Sequence, residues 1–305
     1  MSEEKILKMT FDPATIEHLG VKMYSRLPNA LAELIANAYD ADAKKVSILL
    51  FDRKEKSIII DDDGAGMNFS DINDLFLRIG RNRRKDGHEL SPSGKRKVTG
   101  KKGLGKLAFF GIANTIVIET IQKNSGTLIK FTLDWNELIS TKDRDYKPKF
   151  SVKKCGKNLH GTKIFLNSIN RKSTFDKKSL AISISKLFNL FDKTFKVTIS
   201  RNNDSPISID DKLKFENLNI QFEWKYEDLV KNFEVQYDHS DKISGKIFSS
   251  PKPLSPELRG IILFANKRLV NSPEFFGISE SSHGYSYFTG WLEVDFVDDW
   301  SDDVI

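Results

Sequence analysis

Cysteine is almost missing from this sequence: Cys155 stands alone among 305 residues. A single thiol excludes an internal disulfide framework and points to a reducing compartment, the cytoplasm. No Cys/His cluster has the spacing of a structural zinc site. Long apolar runs are lacking too: none approaches the ~18–20 residues that span a bilayer, and the opening MSEEKILKMT has no signal-peptide apolar core. Neither membrane insertion nor secretion is expected. Charge of one sign is not dominant either. Forty-eight Lys and Arg against 42 Asp and Glu leave +6, which suits an anionic ligand or partner without identifying one. Internal repeats and low-complexity tracts are absent.

What remains, 30% charged and 39% hydrophobic residues, is the composition of a globular chain long enough for two medium domains. The last residues, DFVDDWSDDVI, stop soon after a strand-like run, so the chain reads as a piece of a longer protein.

Pro28 suits the first turn of a helix running to about Tyr39, with Leu31, Leu34, Ile35 and Ala38 as its core stripe. VSILLF (46–51) and SIIID (57–61) read as a hairpin. The segment SDINDLFLRIG reads as a short helix capped by Ser70. Residues 81–99 carry many charges and no apolar period, the signature of a lid or binding loop. GLGKLAFFGIA (103–113) reads as helix, and TIVIETI, TLIKFTL and TKIFL (162–166) read as strands. The first domain, residues 1–170, is therefore expected to be α+β, with helices on a mixed, largely antiparallel sheet. The second, residues 171–305, opens with an amphipathic helix (178–191), followed by strand candidates FKVTIS, KISGKIF, GIILFANKRLV and TGWLEVDFV.

Four constellations carry chemistry. In LAELIANAYDADA (31–43), Glu33, Asn37 and Asp40 fall at i, i+4 and i+7, one face of a helix. A carboxylate and an amide there can position a water and a hard cation such as Mg²⁺, which keeps waters and phosphates as its other ligands; a solvated polar face is the plainer alternative. In DDGAGM (62–67), Asp62 ends an apolar strand and can accept a hydrogen bond from an exocyclic amine. Gly64 and Gly66 permit a tight turn and close approach to a planar ligand, although Asp and Gly also make ordinary turns, with Met67 as filler. In GKKGLGK (100–106), glycines before a helix offer free N–H groups to phosphate. The GxxxxGK spelling is not a P-loop, because Leu107 replaces the required Ser or Thr and no buried strand precedes it. Thr162 in HGTKIFL is uninformative alone.

In this order the four segments resemble the Bergerat-fold (GHKL) ATPases, the superfamily of gyrase B, Hsp90, sensor histidine kinases and MutL. The matches are Glu33-x-x-x-Asn37-x-x-Asp40-Ala41, Asp62-x-Gly64-x-Gly66 with Met67, Gly100-x-x-Gly103-x-Gly105 after a charged lid, and Gly161-Thr162. They cover roughly residues 20–170. The resemblance implies ATP and Mg²⁺ as cofactors. It implies that Asn37 holds the metal, that Glu33 orients or deprotonates the attacking water, and that Asp62 binds the adenine amine with Thr162 assisting through a water. Gly64, Gly66 and Met67 would line the base. Gly100, Lys101, Lys102, Gly103, Leu104, Gly105 and Lys106 would wrap the phosphates, and Asp40 would be structural.

Only about 20 residues precede the first box, with His18 the single histidine among them, which disfavours a sensor kinase. RGIILFANKRLVNSPEFFG (259–277) is similar to the aliphatic-Asn-x-Arg segment of MutL and MORC transducer domains, so a transducer-like (ribosomal S5 domain 2-like) α+β domain, incomplete at its end, is expected to follow. The implied function is slow Mg-dependent ATP hydrolysis coupled to lid closure or homodimerisation, in a bacterial MORC/MutL-like ATPase acting on nucleic acid in repair, restriction or phage defence. The alternatives are an Hsp90-like chaperone and a non-hydrolysing nucleotide-binding module. Relatives touch the terminal phosphate with a basic residue from a transducer loop that falls where this chain stops. Lys267 is the nearest substitute, although its surroundings read as strand, so weak or absent hydrolysis is expected of residues 1–305. Arg81, Arg83, Arg84, Lys85, Lys95, Arg96, Lys97, Lys101 and Lys102 form a basic run that either meets nucleic-acid phosphates or is simply a solvated lid.

Overall fold

Helix α1 (Leu27–Asp40) begins with Pro28 in its first turn, where a missing N–H leaves no bond unmade. It ends at Asp40, and Asp42, with a φ of 61°, turns the chain away from the helical path. The computed structural model that contains it describes residues 26–78, 89–100, 109–140, 146–169, 171–216, 218–233, 237–277 and 283–300. Among these, eight strands form one sheet: β1 (Lys45–Phe51), β2 (Ser57–Asp62), β3 (Ala113–Ile121), β4 (Thr127–Asp134), β5 (Lys149–Lys154), β6 (Gly161–Ile169), β7 (Lys196–Arg201) and β8 (Ile207–Ile209), in the order β5-β4-β3-β6-β2-β1-β7-β8. Every pairing in it is antiparallel except β1 with β7. The α+β expectation is borne out, and the anticipated hairpin is β1–β2, with Ile48 opposite Ile60 and Leu50 opposite Ile58.

Alternation along the strands sets the layers. Ile48, Leu50, Ile58, Ile60, Ile116, Ile118 and Leu166 point to the helical side and lose all or nearly all contact with water. Against them lie Leu31, Leu34, Ile35 and Ala38 of α1. Helix α2 (Trp135–Ser140) is short and has no buried residue. Helix α3 (Lys177–Ser185) packs against α1 and contributes Leu180, Ala181 and Ile184.

Five further strands make a second sheet: β9 (Phe222–Lys225), β10 (Ser244–Ser249), β11 (Gly260–Ala265), β12 (Arg268–Leu269) and β13 (Phe288–Glu293), in the order β12-β11-β13-β10-β9. Short helix α4 (Asp211–Lys214) precedes them, α5 (Tyr226–Phe233) follows β9, and α6 (Val297–Trp300) follows β13.

Several expectations change. Strands β7 and β8 lie beyond residue 170 yet belong to the first sheet, so that boundary does not separate the two sheets. The parallel β1–β7 contact, Val46 opposite Val197 and Ile48 opposite Ile199, is long-range and leaves no local signal. The helix expected over 178–191 ends at Ser185, because Leu187–Phe191 turns to hydrogen-bond with β12. Of the helix expected over 103–113, only 109–113 is described: Phe109–Ile112 is a turn and Ala113 starts β3. The segment after the DDGAGM turn forms a single π-helical turn, Asp71–Phe76, and Ser70 does not cap it. Asn68 and Asp71 close that end reciprocally: the Asp71 N–H donates to Asn68 Oδ1 (2.8 Å) and the Asn68 N–H to Asp71 Oδ2 (3.1 Å). Strand β9 and helix α5 are additional to the elements expected.

A chain cut after residue 170 loses β7 and α3, and with them Val197, Ile199, Ala181 and Ile184, all fully buried. Exposing a core edge of this size removes several side chains worth about 1.5–3 kcal/mol each. Thermal melting of residues 1–170 is expected to be non-cooperative, whereas residues 1–216 should melt in one sharp transition. A sharp transition in the shorter piece would contradict this assignment of the sheet.

Candidate functional site

Asp62 is the last residue of β2, on the same side as Ile58 and Ile60, where the apolar alternation ends in a carboxylate. Its register partner on β6 is Thr162, and that of Thr162 on β3 is Thr120. Three polar side chains thus form a row across three neighbouring strands at the edge of the core. Thr120 is fully buried, and its hydroxyl lies 3.1 Å from that of Thr162 and 3.3 Å from the Gly161 carbonyl. It also accepts the Met67 N–H at 2.9 Å. Thr120 was missed in the sequence; the available signal was a hydroxyl following Ile116 and Ile118 at the same two-residue spacing.

The loop after Asp62 is held by close packing. The Gly64 N–H donates to Asp62 Oδ1 (2.8 Å), the Ala65 N–H to the Ala41 carbonyl (2.8 Å), and His160 Nδ1 meets the Gly64 carbonyl (2.8 Å). A Cβ at Gly64 would lie 2.9 Å from the Ala41 oxygen. At Gly66, with φ +65°, it would lie 1.9 Å from the Ile121 oxygen. In the structure both glycines therefore answer to protein backbone, at the end of α1 and on β3. Met67 is partly buried against the core. The neighbouring Asp63 is engaged elsewhere, its Oδ1 accepting the N–H groups of Lys44 and Lys45, both at 2.7 Å. That leaves Asp62 as the carboxylate at the row of threonines.

On α1, Glu33 and Asn37 are half-buried, flanked by Ala30 and Ala36. Among the described residues no hydrogen bond engages the Asn37 side chain, and no group of three or more His, Cys, Asp and Glu could cage a metal. One amide oxygen beside a carboxylate fits a hard cation whose remaining ligands are phosphates and water. Asp40 is buried and ties down the next segment, accepting the Thr99 N–H (2.7 Å), the Thr99 hydroxyl (3.0 Å) and the Gly100 N–H (3.2 Å). The Gly100 amide, expected to face phosphate, is thus directed to Asp40. Lys101, Lys102, Gly103, Leu104, Gly105 and Lys106 lie outside the described residues, as do Arg81, Arg83, Arg84 and Lys85.

Arg96, expected in a basic run, is instead an anchor. Its Nη1 donates to the carbonyls of Tyr39 (3.1 Å) and Ala43 (2.7 Å), at the end of α1, and its guanidinium lies 4.4 Å from the Tyr39 ring centroid. Lys267 is also placed differently. It occupies the β11–β12 turn, with φ +68°, and pairs with Glu293 at 2.6 Å. The next residue, Arg268, reaches the first sheet's site: its Nη2 donates to Glu33 Oε1. The Asn-x-Arg spelling pointed to this segment, but nothing local linked Arg268 to Glu33, 235 residues away.

Burial pushes the Asp62 carboxyl from its ordinary 3.8 up to about 6, against the opposing hydrogen bonds from Gly64 and Thr162 and with help from the charges of Asp61 and Asp63. The end of β2 thus holds a poorly solvated acceptor, suited to a ligand N–H. Sequence comparison places the arrangement among known proteins. The profile of the "Histidine kinase-, DNA gyrase B-, and HSP90-like ATPase" family matches residues 24–162. The chain is 30% identical, over 98% of its length, to a putative type II restriction enzyme, HgiDII, of Herpetosiphon aurantiacus, of which it covers 51%. It is 27% identical, over 47% of its length, to the chaperone protein HtpG of Helicobacter pylori, of which it covers 25%. The HtpG of Helicobacter acinonychis matches to the same extent. The chain thus spans about half the length of the first of these relatives and about a quarter of the chaperones.

The raised value makes a prediction for stability. The folded protein holds the Asp62 proton more tightly than the unfolded chain, so this group's contribution is fully present below about pH 4 and is lost as pH rises through about 6. Above that, ionised Asp62 costs the fold on the order of 2–3 kcal/mol. Asp62→Asn keeps an oxygen for the Gly64 N–H and removes the charge. Its melting temperature should exceed the wild type's by several degrees at pH 8, and the gain should vanish near pH 4.5. A variant less stable at both pH values would show that Asp62 is comfortably ionised.

Proposed function

We propose that this chain, whose residues 24–162 match the profile of the histidine kinase-, DNA gyrase B- and HSP90-like ATPase family, binds ATP with Mg²⁺ and hydrolyses it slowly as a conformational switch. The observation that carries the reading is the Asp62–Thr162–Thr120 row. A desolvated carboxylate at the end of a strand accepts the adenine amine, and the two hydroxyls position a bridging water. Asn37 would hold the metal, which would offset the charge of the phosphates. Glu33 acts as general base: a water oxygen bonds to the terminal phosphorus, the bond to the ADP oxygen breaks, and the carboxylate takes the water's proton. Asp40 fixes Gly100, the first residue of the glycine-rich stretch expected to meet the phosphates.

The biological output we infer is that of a MORC/MutL-like ATPase in a cytoplasmic restriction or defence system, in which ATP drives closure and dimerisation and nucleic acid is the partner. Support comes from the similarity to a putative restriction enzyme over 98% of the chain, both sheets included, whereas the chaperone similarity covers 47%. Residues 171–305, apart from β7 and β8, then act as the transducer.

Ligand-induced stabilisation tests the reading. A non-hydrolysable ATP analogue with Mg²⁺ at about 100 times Kd should add roughly 2.7 kcal/mol, a rise of several degrees, and GTP should add little. Asn37→Ala should remove the Mg²⁺-dependent part, with EDTA having no further effect on the variant. Additive effects of EDTA and the mutation would take Asn37 out of the metal site. Equal stabilisation by GTP would take Asp62 out of the base pocket.

A further inference from the structure

The contact between Arg268 and Glu33 joins the two sheets at the one side chain proposed to do chemistry. Both partners are largely withdrawn from water, with side-chain exposures of 19% and 14%. Arg268 has little freedom of its own. It pairs with Ala265 across the β11–β12 turn and bridges to Phe188, while the Leu269 N–H donates to the Leu187 carbonyl (3.1 Å).

The turn itself is gripped by acids from the end of the second sheet. The Asn266 N–H donates to Asp295 (2.8 Å), the Asn266 amide donates to Asp298, and Lys267 pairs with Glu293. Glu293 also accepts from Asn189 (2.7 Å), which ties the turn to the segment after α3. The position of Arg268 is therefore set by the second sheet and read by Glu33 on α1, which packs on the first.

A guanidinium bound to a general base has two consequences. It occupies a carboxylate oxygen that would otherwise receive the water's proton. It also places a planar, multi-donor cation one carboxylate away from the terminal phosphate, on the reading proposed above. A terminal phosphate carries more charge than a carboxylate and accepts guanidinium donors in the same forked geometry. One cation faces two anions, and the stronger one competes for it.

We propose that Arg268 is a positioning residue that passes from Glu33 to the terminal phosphate when a triphosphate binds, freeing Glu33 as base and reporting the third phosphate to the second sheet. The inference rests on ATP binding beside Glu33. It assigns the phosphate-sensing role to the β12 arginine, within this chain.

A double-mutant cycle tests it, with calorimetric Kd values for ADP and for a non-hydrolysable ATP analogue. Glu33→Gln keeps shape and removes the competing charge. It should tighten the ATP analogue about tenfold while leaving ADP within about twofold, the scale of a buried charge pair's coupling. The gain should disappear in Glu33→Gln/Arg268→Ala, which leaves no unpaired buried charge and so guards against loss of folding, and Glu33→Gln/Arg268→Lys should recover part of it. Equal changes for ADP and the analogue would make the contact a mere pin between sheets and overturn the proposal. A wild-type chain that binds neither nucleotide would overturn the ATP reading and this proposal together.

Discussion

Helix α1 is enclosed on nearly every side. Leu31, Ile35 and Ala38 lie against the sheet, and α3 packs on the helix as well. A helix so enclosed can carry Glu33 and Asp40 only where something accepts their polarity, because an unpaired buried carboxylate is expensive. Glu33 meets Arg268, and Asp40, a turn beyond Asn37, meets Thr99 and Gly100. The fixed position of α1 thus dictates where Glu33 and Asn37 stand, where Thr99 and Gly100 are held, and which residue of the second sheet is within reach.

The second constraint is the closeness of the backbone around Asp62. Gly64 lies against Ala41 and Gly66 against Ile121, so the end of β2 is clamped between α1 and β3. The clamp holds Asp62 in register with Thr162 and Thr120 and keeps it poorly solvated, which raises its pKa. A carboxylate kept in that state is unfavourable for folding and favourable for binding a donor. Sites of this kind are where stability is commonly exchanged for function.

Much of this was legible in the sequence, because the signals are local. A helix with a polar face, an apolar strand ending in Asp62, and glycines in the following turn each occupy 14 residues or fewer. What was not legible depends on pairings between distant segments. Nothing near 196–201 says that it joins β1 in parallel, so the sequence alone does not place this strand in the first sheet. Arg96 sits in a run of charges and reads as solvated or nucleic-acid-facing, yet its guanidinium donates to the carbonyls of Tyr39 and Ala43 at the end of α1. Thr120 looks like any strand threonine until its register with Thr162 is known. Arg268 lay in a recognised segment, but its partner is on the opposite side of the sequence.

Amide hydrogen exchange, followed with Mg²⁺ and either ADP or a non-hydrolysable ATP analogue, tests the central claim most directly. Both nucleotides should slow exchange in 62–67 and 160–162, where the base would lie, and only the triphosphate should alter exchange in 266–269. Protection elsewhere, with 62–67 unchanged by either nucleotide, would mean that the Asp62 row is not the nucleotide site.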